Sequence, residues 1–481
     1  MKILLIAMPD ASSNFHRMIR VPNLGLCSLA ATVPEHDVRV LDLVLVYRGI
    51  RRYLQNYLAE FRPDVVGIGS MSFQYESART VMAIVRAFDP SIKIVVGGYH
   101  ASMVPEELEK DPFDFLIRGE GEAAFARLIE TLALQQRVSP QPDPHAATPF
   151  SAIAGLSWRN GAEVVHNPPG ELADVNTLPL PNRNVRVLAG FTYLTKKMDV
   201  VETSRGCTLK CSFCSITNMY GRSFRRYPIG RVIADLKRLK ENGVQTVLIV
   251  DDNITLDVPR LKRLCDAITE NGLNSMEYIV QASVLGIASD PELAPKMARA
   301  NFYLVFLGIE SMHKKNLAFL KKGNIKEQAD QAIALLRANN IAILGGFIVG
   351  NPDDTAEDVK AVFDYAKSLK VDLAAVQCLT PYPNTGLRRD LLDMGLVANT
   401  DNLRRYNGFI CNVKTRHLSN KQLNRLMNWE NIKMFFSPAW FKDNNFVKRR
   451  EKGALKVMVN NFEYIRAWFT GDQFASRHSF D

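Results

Sequence analysis

The sequence predicts an α/β protein in which two separate runs of strand–helix alternation are followed by a helical, basic tail. Three observations carry this. Residues 1–130 alternate short apolar runs with stretches of helical spacing, residues 195–400 do so again in six repeats, and the composition shifts after residue 400. At 481 residues the chain is too long for one compact domain, and about 150 residues per domain gives roughly three units. Apolar residues make up 47% and charged residues 23%, which fits a folded globular chain and not a disordered one. No apolar run reaches the ~18–20 residues of a membrane span, and the opening MKILLIAMPD lacks the apolar core and cleavage site of a secretory signal. A cytoplasmic protein is expected.

In the first region, residues 2–8 (KILLIAM), 37–43 (DVRVLDL), 64–70 (DVVGIGS), 93–98 (KIVVGG) and 113–118 (FDFLIR) read as buried parallel strands. Residues 24–33, 77–88, 104–110 and 122–132 between them read as helices. Such alternation builds a doubly wound, Rossmann-like sheet whose ligands bind at the carboxyl ends of the strands. Small residues gather at those ends: Gly69 and Ser70, Gly97 and Gly98 ahead of His100, and the run Gly119, Glu120, Gly121, Glu122. Glycines there let a ligand approach backbone N–H groups. Together with Pro22-Asn-Leu-Gly25, these turns resemble the cobalamin-binding domain found upstream of many radical S-adenosylmethionine enzymes, over most of residues 1–130. The resemblance implies that Gly25 and the nine strand-end positions from Gly69 to Glu122, His100 among them, line a cobalamin site. His100 either faces the corrin or only satisfies its own turn. Cobalamin domains that ligate cobalt through histidine carry D-x-H-x-x-G after the first strand. Here that loop runs Asp10-Ala-Ser-Ser-Asn-Phe-His16, and Asp143-Pro-His145 in a Pro-rich stretch reads as a chance match. Cobalt without a histidine beneath it favours methyl transfer over isomerisation by the cobalamin itself.

Residues 135–150 are polar and Pro-rich, as a surface connection should be. Asn160-Gly161 between two strand-like runs signals a hairpin, expected to seat the first domain on the second. The domain limits are therefore 1–134, a linker with a hairpin at 135–194, a second domain at 195–400 and a tail at 401–481.

Seven cysteines, an odd and sparse set, argue against a disulfide framework and for a reducing compartment. Three of them fall in VETSRGCTLKCSFC as Cys207-x3-Cys211-x2-Cys214, on the loop after a strand at 199–203. Three thiolates so spaced can hold three irons of a 4Fe–4S cubane and leave the fourth open, free to chelate the amino and carboxylate groups of S-adenosylmethionine. Zinc is the alternative, but a structural zinc site takes four ligands, and His166 is the single histidine in residues 146–312. The spacing is the signature of the radical S-adenosylmethionine superfamily, and the chain is identified as a member.

Further strands are expected at 246–250, 278–281, 303–307, 342–349 and 373–378, with helices at 229–242, 258–271, 291–300, 325–339 and 356–369. Six βα repeats fit the partial (β/α)6, TIM-like barrel of that superfamily, whose chemistry sits at the carboxyl ends of the strands. By resemblance, Phe213 stacks near the adenine, Asp252 and Asn253 hold the methionine end, and Glu310 or Ser311 reaches the ribose. Gln281 at the end of the third strand and Gly308 at the end of the fourth are further candidates for cofactor binding. Residues 251–253 read equally as a helix N-cap cluster. Tyr382 at the barrel mouth is a candidate substrate or radical-path residue. Cys265 reads as core, and Cys378 points either into the barrel or away from it.

The net charge is +10, and +8 of it lies in residues 401–481, which carry 15 basic and 7 acidic side chains. Phe435, Phe436, Trp440, Phe441 and Phe446 interleave with Lys433, Lys442, Lys448, Arg449 and Arg450. This α-helical tail reads either as a helix packed on the barrel or as an interfacial helix on anionic lipid. Nucleic acid is not expected, since no recognition module appears.

The order of domains resembles the cobalamin-dependent radical methylases and the anaerobic magnesium-protoporphyrin ester cyclases. It implies a 4Fe–4S cluster, S-adenosylmethionine and cobalamin as cofactors, and an electron donor such as flavodoxin or ferredoxin. The resulting expectation is methylation of an unactivated carbon in a hydrophobic small molecule, lipid or tetrapyrrole-like, by way of methylcobalamin and a 5′-deoxyadenosyl radical. The enzyme would be cytoplasmic, with the tail as a peripheral contact on the inner face of the membrane. A radical cyclase with the same cofactors is the first alternative, and a non-catalytic iron–sulfur or cobalamin sensor the second.

Overall fold

The computed structural model describes residues 1–9, 19–137, 149–435 and 479–481. The loop from Asp10 to His16, the Asp143-Pro-His145 match and the basic, aromatic tail from Phe436 to residue 478 lie outside the described residues. Two compact units meet in the sequence between Gly190 and Phe191.

In the first unit, β1 (Lys2–Ala7), α1 (Leu24–Ala31), β2 (Asp37–Asp42), α2 (Ile50–Phe61), β3 (Val65–Gly69), α3 (Tyr75–Phe88), β4 (Lys93–Gly97), α4 (Tyr99–Met103), β5 (Phe115–Ile117) and α5 (Glu122–Arg137) follow one another. The sheet runs β2-β1-β3-β4-β5 with every pair parallel. β1 is buried along its length, Ile3 to Ile6 at 0% exposure, because both faces carry helices. The strand order reverses between β1 and β3, and the crevice outside their carboxyl ends is where such sheets take ligands. Helix α2 escaped the sequence reading. Its signal is the buried series Ile50, Leu54, Leu58 and Phe61, spaced four, four and three residues apart.

The hairpin read as part of a linker instead belongs to this sheet. β6 (Leu156–Asn160) and β7 (Glu163–His166) pair antiparallel, and β6 pairs antiparallel with β5, so that Phe115 faces Trp158. The reason is an open edge. β5 has three residues and no other neighbour on that side, and β6 covers its unpaired groups while burying Leu156 and Trp158.

The second unit contains β8 (Thr192–Tyr193), β9 (Lys196–Val201), β10 (Ser204–Arg205), α6 (Ile216–Tyr220), β11 (Arg225–Arg226), α7 (Ile229–Glu241), β12 (Thr246–Ile249), α8 (Val258–Glu270), β13 (Glu277–Ser283), α9 (Val284–Ala288), α10 (Leu293–Arg299), β14 (Phe302–Glu310), α11 (Lys314–Phe319), α12 (Lys326–Ala338), β15 (Ala342–Val349), α13 (Ala356–Ser368), β16 (Leu373–Cys378), α14 (Gly386–Asp393) and α15 (Asn420–Phe435). Strands β9 and β12 to β16 lie in chain order in one parallel, open sheet, with the short β8 on its outer edge. This is the expected six-repeat partial barrel.

Register and burial together tell its two faces apart. Gln281, Phe306, Leu344 and Leu373 are cross-strand neighbours and none of them is buried. Tyr278 and Val280, on the opposite face of β13, are at 0% exposure under the helices. The concave face is thus accessible and the convex face is core. The stretch after residue 400 departs from expectation: between 401 and 419 its one helical element is a 3₁₀ turn at Leu403–Arg405, and α15 begins at Asn420. Tyr406, Ile410, Cys411 and Val413 bury themselves there without helical periodicity.

Candidate active site

The cysteine loop leaves the end of β9 and is held by a buried polar network. Asp251, fully buried just past β12, accepts hydrogen bonds from Thr203 N (2.6 Å), Thr203 Oγ1 and Ser204 Oγ (2.6 Å). The buried Arg260 guanidinium donates to the carbonyls of Thr203 (2.9 Å) and Tyr227 (2.7 Å). Burial lifts the Asp251 carboxyl above its ordinary range, and the hydrogen bonds oppose that lift. Asp252 Oδ2 accepts from Gly206 N at 2.8 Å. Gly206 has φ +87°, and a Cβ there would overlap the Ser223 carbonyl oxygen, so the chain turns into the loop only with glycine. Further on, Ser212 bonds Leu320 O through its N–H (3.1 Å) and Phe319 O through its hydroxyl (3.2 Å), while Leu387 N donates to Ser212 O (3.0 Å).

Cys207, Cys211 and Cys214 are free and partly exposed on this loop. Burial raises each thiol, Cys214 to about 11, and the neighbouring thiols add to the lift at Cys211 and Cys214. The three thiols thus lie close enough to act on one another, and a bound metal would favour their thiolate form. Three thiols on one loop that act on one another, with no fourth cysteine on it, are the donor types of a site-differentiated cubane, so the residues fit the cluster.

A residue the sequence reading missed stands beside them. Lys322 Nζ is 2.8 Å from Glu310 Oε1, with the two side chains 14% and 10% exposed. Burial works against its charge, but Glu310, Cys211 and Cys214 outweigh that and hold the ammonium above the usual lysine range. No spacing marks Lys322 in the sequence; its place follows from the turn after α11. Glu310 itself has φ +64° at a register shift between β14 and β15. A side chain on Gly308 would meet the Glu310 carboxylate, which lies over it.

The other predicted residues distribute as follows. Asn253 caps the 3₁₀ turn at Ile254–Leu256 through Thr255 N (3.2 Å) and Oγ1 (2.8 Å), and it also faces Cys207. The cap and the site reading thus coincide in one side chain. Gln281 is exposed on the concave face. Ser311 is 2% exposed and accepts from His313 N (3.2 Å). Phe213 is partly exposed within the loop. Tyr382, beyond β16, packs edge-on to Tyr406 at 6.4 Å. Cys265 is core, and Cys378 faces away from the concave side, buried against Cys411. Gln377, unremarked in the sequence, is the partly exposed neighbour on the other face.

In the first unit the strand-end residues follow β3, β4 and β5, from the reversal point toward the β5 edge. Gly98 has φ +94°, and a Cβ would come within 2.9 Å of Ser70 N and O. His100 N donates to Ser70 O at 3.1 Å, which brings the ends of β3 and β4 together with Gly69 and Gly97. Among the described residues the Ser70 hydroxyl is buried without a hydrogen-bond partner, at the end of β3. An orphaned hydroxyl at the mouth of the crevice, beside a glycine-cleared backbone, fits a large polar cofactor such as cobalamin. His100 is wholly buried, with Nδ1 3.2 Å from Ser72 Oγ and its ring 4.3 Å from that of Tyr75; burial lowers it to about 4. Gly25 opens α1, and Gly119 N donates to Ser102 Oγ (2.9 Å). Glu120 accepts from Ala173 N (2.7 Å), Gly121 packs on Leu29, and Glu122 is buried in the first turn of α5.

Both halves of this arrangement match known families. The Radical SAM superfamily model matches residues 201–366, and the B12 binding domain model matches residues 19–129. The chain belongs to the cobalamin-dependent radical S-adenosylmethionine methyltransferases, enzymes that work with a 4Fe–4S cluster, S-adenosylmethionine and cobalamin. It is 30% identical over 473 residues to an uncharacterized methyltransferase of Pyrococcus horikoshii, covering 95% of this chain and 98% of that one. The anaerobic magnesium-protoporphyrin IX monomethyl ester cyclase of Rubrivivax gelatinosus is 26% identical over 84% of this chain and 72% of its own. Among solved structures, the radical S-adenosylmethionine methyltransferase TsrM of Kitasatospora setae shares the fold, with a TM-score of 0.66 and 20% identity over 83% of this chain and 79% of that one. Among the described residues no helix is long and apolar enough to cross a membrane.

Proposed function

We propose that the enzyme methylates an unactivated carbon of a hydrophobic small molecule. The observation that carries this is the accessible concave face beside the cysteine loop, where Phe306, Leu344 and Leu373 stand in register with a single polar neighbour, Gln281. An apolar substrate would be seated there, with an amide to orient it.

In this reading Cys207, Cys211 and Cys214 hold the cluster, and the strand ends around Ser70 and Gly98 hold cobalamin. When bound, these groups supply an adenosyl radical that removes hydrogen from a strong C–H bond and a methyl group to replace it, chemistry beyond any side chain. The chain's own work is placement. Asp251, Arg260 and Asp252 fix the cysteine loop. Asn253, Glu310 and Ser311 border the S-adenosylmethionine site, Phe213 flanks the adenine, and the Glu310–Lys322 pair keeps a fixed cation beside the thiols. Tyr382 flanks the substrate opening. The basic, aromatic stretch after Met434 supports a peripheral contact with anionic lipid, from which such a substrate would enter.

The test uses cluster-loaded, cobalamin-loaded protein with methyl-deuterated S-adenosylmethionine, a one-electron reductant and an apolar cell extract. A component that gains the labelled methyl supports the reading. Formation of 5′-deoxyadenosine with an altered component that carries no label would replace it with the cyclase reading, which the Rubrivivax relative favours.

A further inference from the structure

Reductive cleavage needs one electron per turnover from outside. We infer that the surface over Cys211, formed by Lys210, Lys321 and Leu285, is the docking site for an acidic one-electron donor protein of the flavodoxin or ferredoxin kind. The inference rests on the radical reading above and adds to it the place of contact.

A small hollow is lined by Cys211 itself. Its rim carries Lys210 and Lys321, both exposed, with the buried Lys322 behind them and no carboxylate in the lining. Lys210 and Lys321 form no ion pair among the described residues, whereas Lys322 is neutralised by Glu310. Lys321 has φ +53°, directly after the cap of α11, a left-handed position that glycine usually fills. Leu285, in the first turn of α9, is 46% exposed between these cations. Unpaired charge of one sign around an exposed apolar anchor is the pattern of a steered, short-lived protein contact. An electron delivered there enters beside a cluster thiolate. One electron leaves the donor and ends at the sulfonium, whose C5′–S bond divides into methionine and the 5′-deoxyadenosyl radical, so no other oxidant or reductant is required.

The test compares holoenzyme with the variants Lys210→Glu/Lys321→Glu and Leu285→Ala, and with a control carrying the same charge change on the outer helix α7, Lys237→Glu/Arg238→Glu. Oxidised flavodoxin is titrated in at several ionic strengths, and S-adenosylmethionine cleavage is measured with reduced flavodoxin and, separately, with dithionite. Wild type and control should bind flavodoxin more weakly as salt rises. The double variant should bind at least tenfold more weakly at low salt, with little salt dependence, and Leu285→Ala should lose affinity at every salt concentration. Flavodoxin-driven cleavage should fall in step while dithionite-driven cleavage and the cluster spectrum stay at the wild-type level. Equal affinity in wild type and double variant, an equal loss in the control, or a wild type that does not bind flavodoxin overturns the inference. A wild type that fails to cleave with dithionite sinks the radical reading instead, and the titration still decides the surface.

Discussion

The two cofactor regions solve opposite problems. The cysteine loop of the half-barrel is held by side chains: a buried carboxylate, a buried guanidinium and a second carboxylate grip the backbone of residues 203–206. The crevice of the first unit is shaped by their absence, with Gly97 and Gly98 clearing the backbone and the Ser70 hydroxyl left without a partner. A small inorganic cluster needs three donors at fixed points, so the loop that presents them must not move. A broad cofactor needs room and a few polar contacts, so its cradle is made by removing Cβ atoms. One site is therefore sensitive to lost side chains and the other to gained ones.

The largest effects belong to the cysteine loop. Cys211→Ala should abolish the cluster's optical absorption and S-adenosylmethionine cleavage while leaving corrinoid binding intact, as read from spectra after anaerobic reconstitution. Loss of both cofactors together would show that the two regions do not separate in this way. Asp251→Ala comes next. It leaves the Thr203 N–H and hydroxyl and the Ser204 hydroxyl without their buried acceptor and takes a counter-charge from the buried Arg260, and removing one partner from such a network costs about 3–5 kcal/mol. A lower melting temperature and reduced iron content, with all three cysteines still present, are the expected outcome.

The same contrast governs what could be read in advance. Cys207, Cys211 and Cys214 announce themselves because cluster ligation constrains residue type and spacing within one loop. The six βα repeats were legible because each strand and each helix carries its own apolar period. Lys322 and Arg260 were not, since a buried cation is fixed by partners 12 and 57 residues away, Glu310 and Thr203, and no local pattern encodes them. The hairpin at 156–166 was legible as a hairpin, but the edge it covers was not, because pairing with β5 depends on which neighbours that strand lacks. Helix α2 carries a period of the same kind in Ile50, Leu54, Leu58 and Phe61.

His100 offers a pH test of the first unit. Burial lowers its pKa to about 4, below the ordinary 6.5, so the folded state binds fewer protons than the unfolded one between those values. Its contribution is fully present above pH 6.5 and is lost as pH falls toward 4, about 3 kcal/mol in all. Glu107, 3.7 Å away, and Asp111 beyond Tyr75 are the nearest acids. Asp42, raised to about 6 by burial, runs the other way in the same window. The readout is therefore the difference between wild type and His100→Gln in thermal melts from pH 7 to pH 4.5, and it should shrink steadily on acidification. A constant difference would place His100 in contact with water.

The smallest effect is the most specific. Gly98→Ala puts a Cβ within 2.9 Å of the Ser70 backbone at φ +94°. Strain of this kind costs about 1–3 kcal/mol. The strain falls on the contact that brings β3 and β4 together at the crevice, so corrinoid affinity should drop about tenfold, the equivalent of ~1.4 kcal/mol. The cluster spectrum should not change, because nothing in the cysteine loop depends on Gly98. If adding one methyl group here left corrinoid affinity untouched while Cys211→Ala behaved as expected, the cofactor would lie elsewhere on the first unit. The contrast between a gripped loop and a cleared crevice would then reduce to the loop alone.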